Sequence, residues 1–478
     1  MLIILKMRFL NIILILLILS FSSCSSVKKE SHKNQINKKP NIVFIMADDL
    51  GWGELNSYGN DFNETPNLNK LAWQGLRFSQ AYAAAPVCSP TRASLMTGQY
   101  PARVGITDFL APKSDRYLEP ENYVTINEAL SKAGYYTGMI GKWHLDTHFD
   151  ENKGSPKNHG FDEVIGTETK YIGDGDYFYP YNKVNTLKGN EGEFLPDRLA
   201  TEAVSFIKRN KKKPFYLYLS HFSVHTSLDA PEKLVEKYKK KFNEKYGAGE
   251  AQKLFDGQKK GRHRADEKDN PYLAAMLERI DNGVGEIMQA LKDNGIEDNT
   301  LLVFFSDNGG ARNAGDNGYL RGHKLMLYEG GIREPLIMRW PGKIAQNSIT
   351  DYPISSVDFY PTFLEIANTE KPEDYKLDGV SLYSLITKNK KPERKTLFWH
   401  YPSETANSLP RMASAVRDGD FKLIEFYSDN RQELYNLRND PQEKQDLSEK
   451  NPEKLAELHN LLTDWKKEVN ARIPDIKK

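Results

Sequence analysis

Of 478 residues only two are cysteine, Cys24 and Cys88, so a disulfide-stapled scaffold is excluded. An excess of one charge is missing as well. Lys and Arg total 66 against 65 Asp and Glu, a formal net charge of +1, without the basic surplus that nucleic-acid binding demands. There is no internal repeat, no collagen-type glycine period and no coiled-coil composition, and only one long apolar run, which excludes a multi-span membrane protein. What is present is an ordinary globular make-up, 39% hydrophobic and 27% charged, with material for a sizeable core and no sign of long disorder. At roughly 150 residues per domain the length allows about three domains, or one large α/β domain plus a small one.

The apolar run lies at the N-terminus. Lys6 and Arg8 precede Phe9–Phe21, interrupted only by Asn11 and Ser20. At roughly 13 residues it is short for a span and has the length of a signal-peptide core; the alternative is a plain signal anchor. It ends in Phe21-Ser22-Ser23-Cys24. Small residues before a cysteine resemble a bacterial lipoprotein signal, in which the cysteine is acylated and becomes the new N-terminus. Phe21 stands where such signals usually carry Leu, so ordinary cleavage stays open. The expectation is a signal peptide over 1–23 and a flexible tether over 24–39, rich in Ser, Lys, Asn and Gln. The protein would be an exported periplasmic or cell-surface lipoprotein, tied to a membrane only through Cys24, or secreted if Cys24 is not lipidated.

Downstream, apolar runs end in polar residues. Asn41–Ala47 is continuous, as expected of a buried parallel strand, and runs into Asp48-Asp49-Leu50-Gly51. Thr137–Gly141 ends at Lys142-Trp143-His144, Phe215–Ser220 at His221 with His225 shortly after, and Leu301–Phe305 at Ser306-Asp307-Asn308-Gly309-Gly310. Helical patterns cover Asn67–Gln74, Thr125–Ala133, Pro196–Arg209 and Tyr272–Asn294. Alternating strands and helices predict a large, mainly parallel sheet with helices on both faces. Ligands bind such sheets outside the carboxyl ends of the strands, where these polar residues fall.

Residues 232–270 are rich in charge and include Lys237, Lys239, Lys241, Lys245, Lys259, Lys260, Arg262 and Arg264. They read as a solvated helical insertion, with a polyanion-docking surface as the alternative. From about 390 the pattern changes to short strands at Leu397–Tyr401, Ala413–Arg417 and Phe421–Tyr427, the last two joined by a turn at Asp418-Gly419-Asp420, and then to a helix from Pro452 to about Asn470. The chain therefore divides into a catalytic domain over 40–389 and a small C-terminal α+β subdomain over 390–478, with a short antiparallel sheet and one helix.

Cys88 is the cysteine left in the mature chain. In Cys88-Ser89-Pro90-Thr91-Arg92, followed by Ala-Ser-Leu-Met-Thr97-Gly98, Pro90 suits the first turn of a helix and Gly98 its end. A buried structural cysteine is the ordinary alternative. With this motif the sequence closely resembles the formylglycine-dependent, arylsulfatase-like sulfatases of the alkaline phosphatase superfamily. Their signature Cys-x-Pro-x-Arg is matched by Cys88, Pro90 and Arg92. The resemblance extends in order and spacing through Asp48–Gly51, Gly141–His144, His159-Gly-Phe-Asp162, Ser306–Gly309 and Lys324 through Tyr328–Arg333 with Pro335.

The resemblance implies an alkaline-phosphatase-like fold and conversion of Cys88 to formylglycine by a separate maturation enzyme. It implies a cation at Asp48, Asp49, Asp307, Asn308 and position 88. Three carboxylates and an amide offer only oxygen, which suits Ca²⁺ or, less well, Mg²⁺; the alternative is a pair of exposed turns. It further implies a hydrated aldehyde that attacks sulfur with help from the metal and Arg92, and is regenerated as His144 removes a proton and sulfate leaves. Lys142 and Lys324 would hold the sulfate oxygens, and His225, with Lys324, would protonate the leaving alcohol. Where this chain departs from the family pattern, at Asp146, His323 and Met326, the residues are expected near the substrate. Asp146, His148, Arg312, Asn313, His323 and His400 are expected sugar contacts, with a hydrogen-bonded structural role as the alternative for His400. The implied substrate is a sulfated sugar or polysaccharide outside the cytoplasm. The alternatives are a phosphonate or phosphate diester hydrolase of the same superfamily and a non-catalytic binder of sulfated glycans.

Overall fold

A computed structural model describes residues 39–475 except 113, 150–152, 171–175, 257–267 and 404–411. The expected signal peptide, Cys24 and most of the tether lie outside the described residues, as do Lys259, Lys260, Arg262 and Arg264. A nine-stranded sheet is built from β1 (Asn41–Ala47), β2 (Leu76–Tyr82), β3 (Tyr136–Gly141), β4 (Glu163–Ile165), β5 (Phe215–Ser220), β6 (Thr300–Ser306), β7 (Arg333–Arg339), β8 (Ser348–Thr350) and β9 (Ile354–Ser355). Its order is β4-β3-β5-β1-β6-β7-β2-β8, with β9 beside β2. The first five strands in that order run parallel, whereas β7 is antiparallel to both β6 and β2.

The continuous apolar runs follow from burial on both faces. In β1, Val43, Ile45 and Ala47 face one core with Leu199, Phe206, Leu277 and Ile280 of the helices Leu195–Asn210 and Pro271–Asp293. Ile42, Phe44 and Met46 face the other, with Ile126, Phe359 and Phe363. Each such fully buried side chain contributes about 1.5–3 kcal/mol, so the central strands are rigid supports for whatever leaves their ends. The predicted helices appear with ends shifted by a residue or so, the second with Thr125 and Glu128 forming a capping box. Six strands were not predicted: β2, β4, β7, the short β8 and β9, and the C-terminal Gln432–Asn436.

The C-terminal strands β10 (Thr396–Tyr401), β11 (Ala413–Asp418), β12 (Phe421–Phe426) and β13 (Gln432–Asn436) form an antiparallel sheet in chain order. One face packs Val416, Leu423 and Leu434 against Leu458, Leu462 and Trp465 of the helix Pro452–Glu468. The other, with Trp399, Tyr401 and Ile424, shares a core with Tyr82, Val87, Cys88 and Leu327. The small sheet therefore backs the segment that carries Cys88. The charge-rich insertion contains the helices Glu232–Tyr246 and Glu250–Phe255. Several of its described lysines are engaged with acids: Lys237 with Glu64 and Glu278, Lys239 with Asp256, Lys245 with Asp61 and Asp269.

Candidate active site

Strand register brings the acidic groups together. Ala47 pairs with Ser306 in parallel β1 and β6, so Asp48 and Asp307 leave the sheet side by side. Asp49 follows in a left-handed conformation, φ +62, which non-glycine residues adopt at a cost and mostly at functional sites. Oxygens of Asp48, Asp49 and Asp307 lie within 4.8 Å of one another, all three residues buried. Asn308 Nδ2 donates to Asp49 Oδ1 at 2.8 Å. Asn308 Oδ1 and Asp48 Oδ1 are buried without a hydrogen-bond partner among the described residues. Buried oxygens that accept nothing from the protein are costly, and these belong to a set made only of oxygen donors. The cluster fits a hard divalent cation such as calcium.

Three cationic side chains face it. The helix Cys88–Thr97 ends at Gly98, which takes φ +66 and whose Cβ would strike Tyr360 at 2.8 Å. Arg92, one turn beyond Cys88, donates from Nε and Nη2 to Asp307 Oδ2 at 3.0 and 2.6 Å, and from Nη1 to the Lys142 carbonyl at 3.1 Å and to Ser220 Oγ. Lys142 Nζ donates to Asp48 Oδ2. Lys324 Nζ lies 2.7 and 2.8 Å from the two oxygens of Asp49. Burial would raise the Asp48 carboxyl, but Lys142, His225 and Arg92 outweigh it and hold the group well below the usual range. Burial and the neighbouring Asp48 push Asp307 up.

Cys88 Sγ lies 3.2 Å from His144 Nδ1. His144 Nε2 is 3.1 Å from the Leu110 carbonyl. A carbonyl only accepts, so Nε2 carries the hydrogen and Nδ1 offers a lone pair to position 88. Burial, then Lys142 and Arg92, hold the imidazole well below its ordinary value and keep it neutral. The ring is aimed by a left-handed backbone, φ +55, whose N–H and that of Trp143 both donate to the Glu168 carboxylate. Burial raises the Cys88 thiol despite Lys142 and Lys324, so the site does not favour a thiolate nucleophile.

His225 is half-buried with Nε2 3.7 Å from Asp49 Oδ2; burial and Lys324 lower it. His221 is buried and its Nδ1 has no hydrogen-bond partner among the described residues. Asp146 accepts from the backbone of His148 and Gly154 at 2.8 Å each and pairs with His148 Nδ1 at 3.0 Å, closing the 146–154 loop. Arg312 is exposed beside Asn313, which takes φ +65 and whose Oδ1 has no partner among the described residues. His323 Nδ1 is 2.8 Å from the Lys324 carbonyl. His400 is 2% exposed, with Nδ1 2.7 Å from Ser414 Oγ and Nε2 3.0 Å from the Arg472 carbonyl. Both nitrogens serve the C-terminal subdomain, which is the structural alternative. Sequence reasoning missed Glu168, Ser220 and the Leu110 carbonyl, none of which stands in a recognisable motif.

The sulfatase family profile matches residues 40–369, and a profile described as N-sulphoglucosamine sulphohydrolase, C-terminal, matches 315–470. A protein named Sulfatase from Formosa agariphila is 32% identical over 95% of this chain and 93% of its own. Human N-acetylgalactosamine-6-sulfatase is 31% identical over 77% of this chain and 70% of its own. Among solved structures, Ps i-CgsB in complex with k-i-k-neocarrahexaose superimposes with a TM-score of 0.76 at 30% identity, covering 90% of this chain and 93% of that one. The chain belongs to the sulfatase family.

Proposed function

We propose that this sulfatase hydrolyses sulfate esters on a sulfated sugar or polysaccharide outside the cytoplasm, using calcium and a formylglycine made from Cys88. The observation that carries this is the convergence of position 88, His144 Nδ1 and three buried carboxylates with Arg92, Lys142 and Lys324 around them. Names of relatives support the substrate class: one acts on N-acetylgalactosamine-6-sulfate by its name, and one was solved with a carrageenan hexaose.

Asp48, Asp49, Asp307 and Asn308 would hold the calcium, together with the oxygen at position 88. Bound calcium would supply Lewis-acid polarisation of an oxygen, and a hydrated aldehyde at position 88 would supply an attacking hydroxyl and a second hydroxyl able to give up its proton. Arg92 holds Asp307 and the Lys142 carbonyl in one geometry, so the ligand set is preorganised before substrate arrives. Lys142 and Lys324 balance the negative sulfate oxygens. His144, neutral with Nδ1 unprotonated, takes a proton from the group at position 88. His225, beside Lys324, delivers one to the leaving alcohol oxygen. Asp146, His148, Arg312, Asn313 and His323 are the proposed sugar contacts; His400 is set aside because both its nitrogens are engaged. A lipoprotein signal at Cys24 and a formylglycine-generating enzyme complete the proposal.

The test is the mass of the tryptic peptide Phe78–Arg92 from protein made in a host with a formylglycine-generating system. Aldehyde or its hydrate at position 88, followed by sulfate release from a panel of sulfated mono- and polysaccharides, is expected. A wholly unmodified thiol would remove the nucleophile and overturn the reading.

A further inference from the structure

Glu334 on β7 is fully buried, and neither of its carboxyl oxygens has a hydrogen-bond partner among the described residues. The antiparallel register of β6 and β7 runs from Leu302 with Arg339 to Phe305 with Leu336. Continued by two residues, it sets Glu334 opposite Asp307. Side chains alternate along a strand, so Glu334 shares the face of Leu336 and Met338, and Asp307 that of Phe305, all three in one core. The two carboxyl groups therefore leave the sheet on the same side. On the other flank Glu334 pairs with Ala81 of β2, which offers no polar side-chain atom, and Pro335 has no N–H to give.

Neither form of this acid is satisfied by the described residues. An ionised carboxylate finds no donor, and a protonated one finds no acceptor for its own hydrogen. Burial, with Asp307 and Asp49 acting through space, pushes the group well above the ordinary carboxyl range. Such an atom pair in a native core calls for a specific reason. In the acid cluster that contains Asp307, Asp48 Oδ1 and Asn308 Oδ1 also lack a partner among the described residues.

We propose that Glu334 is a positioning carboxylate of the cation site, joined to the ligand oxygens through a buried water and not bonded to the metal. The proposal rests on the calcium reading above. Buried waters characteristically bridge otherwise unsatisfied polar groups, and partners one step behind metal ligands typically change metal affinity roughly 10- to 100-fold when removed. Asp307 is turned by Arg92 on one side, and Glu334 would hold the opposite side of the same pocket.

The experiment compares wild type, Glu334→Gln and Glu334→Val after calcium is stripped, by calorimetric titration with calcium chloride and by urea unfolding without calcium. Affinity should fall roughly 10- to 100-fold in both variants, while their calcium-free urea midpoints equal or exceed wild type. A packing role would not move the affinity. Calcium binding within twofold of wild type in either variant overturns the proposal alone. Failure of both variants to fold without calcium also overturns it, since an unpartnered acid contributes nothing to stability. No calcium binding by wild type overturns this inference and the calcium reading together.

Discussion

Lys422→Met tests how the C-terminal sheet supports the segment that carries Lys324. Lys422 Nζ lies 2.9 Å from Glu329 Oε1 and 2.9 Å from Glu443 Oε1, with all three side chains wholly buried. Glu443 also accepts the Glu329 N–H at 2.7 Å, and Glu329 accepts from Tyr82 Oη at 2.7 Å. Glu329 lies five residues past Lys324, so the cluster ties β12 to the stretch that carries that lysine. At an effective dielectric near 20 each contact carries about 6 kcal/mol of gross Coulomb attraction, mostly offset by desolvation. Removing one partner of a buried pair costs about 3–5 kcal/mol, because the remaining charges stay buried. In the variant Glu329 keeps Tyr82 and Arg333, whereas Glu443 loses its lysine. Burial, with Glu329 adding to it, already pushes Glu443 up to about 7, and loss of Lys422 pushes it further. A carboxyl raised on folding binds its proton more tightly in the folded state, so stability falls as pH rises from its unfolded value through the folded one. The deficit relative to wild type should reach about 3–5 kcal/mol near pH 8, of which about 1.4 kcal/mol develops between pH 5 and 8 as wild-type Glu443 ionises and the variant's stays protonated. Urea unfolding followed by tryptophan fluorescence at both pH values reads it, and Lys422→Met with Glu443→Gln should recover part of the loss. A deficit under about 1 kcal/mol at pH 8, or one that does not vary with pH, would refute the reasoning.

Three further outcomes follow from the same geometry. Chelating calcium should abolish turnover and lower the urea midpoint, since free calcium at a hundredfold over its dissociation constant adds about 2.7 kcal/mol; a midpoint indifferent to calcium would contradict a site at Asp48, Asp49 and Asp307. His144→Ala should cut sulfate release roughly 10²- to 10⁴-fold while the Phe78–Arg92 peptide still carries the aldehyde, and an unaltered rate would remove His144 from the chemistry. Burial holds His400 down to about 4, so the folded protein binds fewer protons than the unfolded one below pH 6.5. Stability should fall by about 3 kcal/mol as pH drops from 6.5 towards 4. His400→Gln should flatten that window, and identical acid sensitivity in both proteins would place the effect elsewhere.

What could be read in advance, and what could not, divides along a physical line. β1, β3, β5 and β6 are buried on both faces, so their sequences are unbroken apolar runs and their ends stand out. The groups past those ends carry their chemistry in their identity, as an aspartate pair or a cysteine before Pro and Arg does. β7 opens with Arg333-Glu334-Pro335, two charges and a proline, which argue against a strand from sequence. It is tolerated because Arg333 pairs with Glu329 one turn before it and donates at 2.8 Å to the carbonyl of Ser79, a partner far away in sequence. Glu168 holds the His144 backbone from a loop 24 residues on, and the choice between two roles for His400 is made by Ser414 and Arg472. Residues whose role depends on what lies across a strand or loop have no local signal. Glu334 is the sharpest case: by composition it belongs on a surface, and only the register of β6 and β7, continued two residues past Phe305 and Leu336, sets this buried glutamate opposite Asp307.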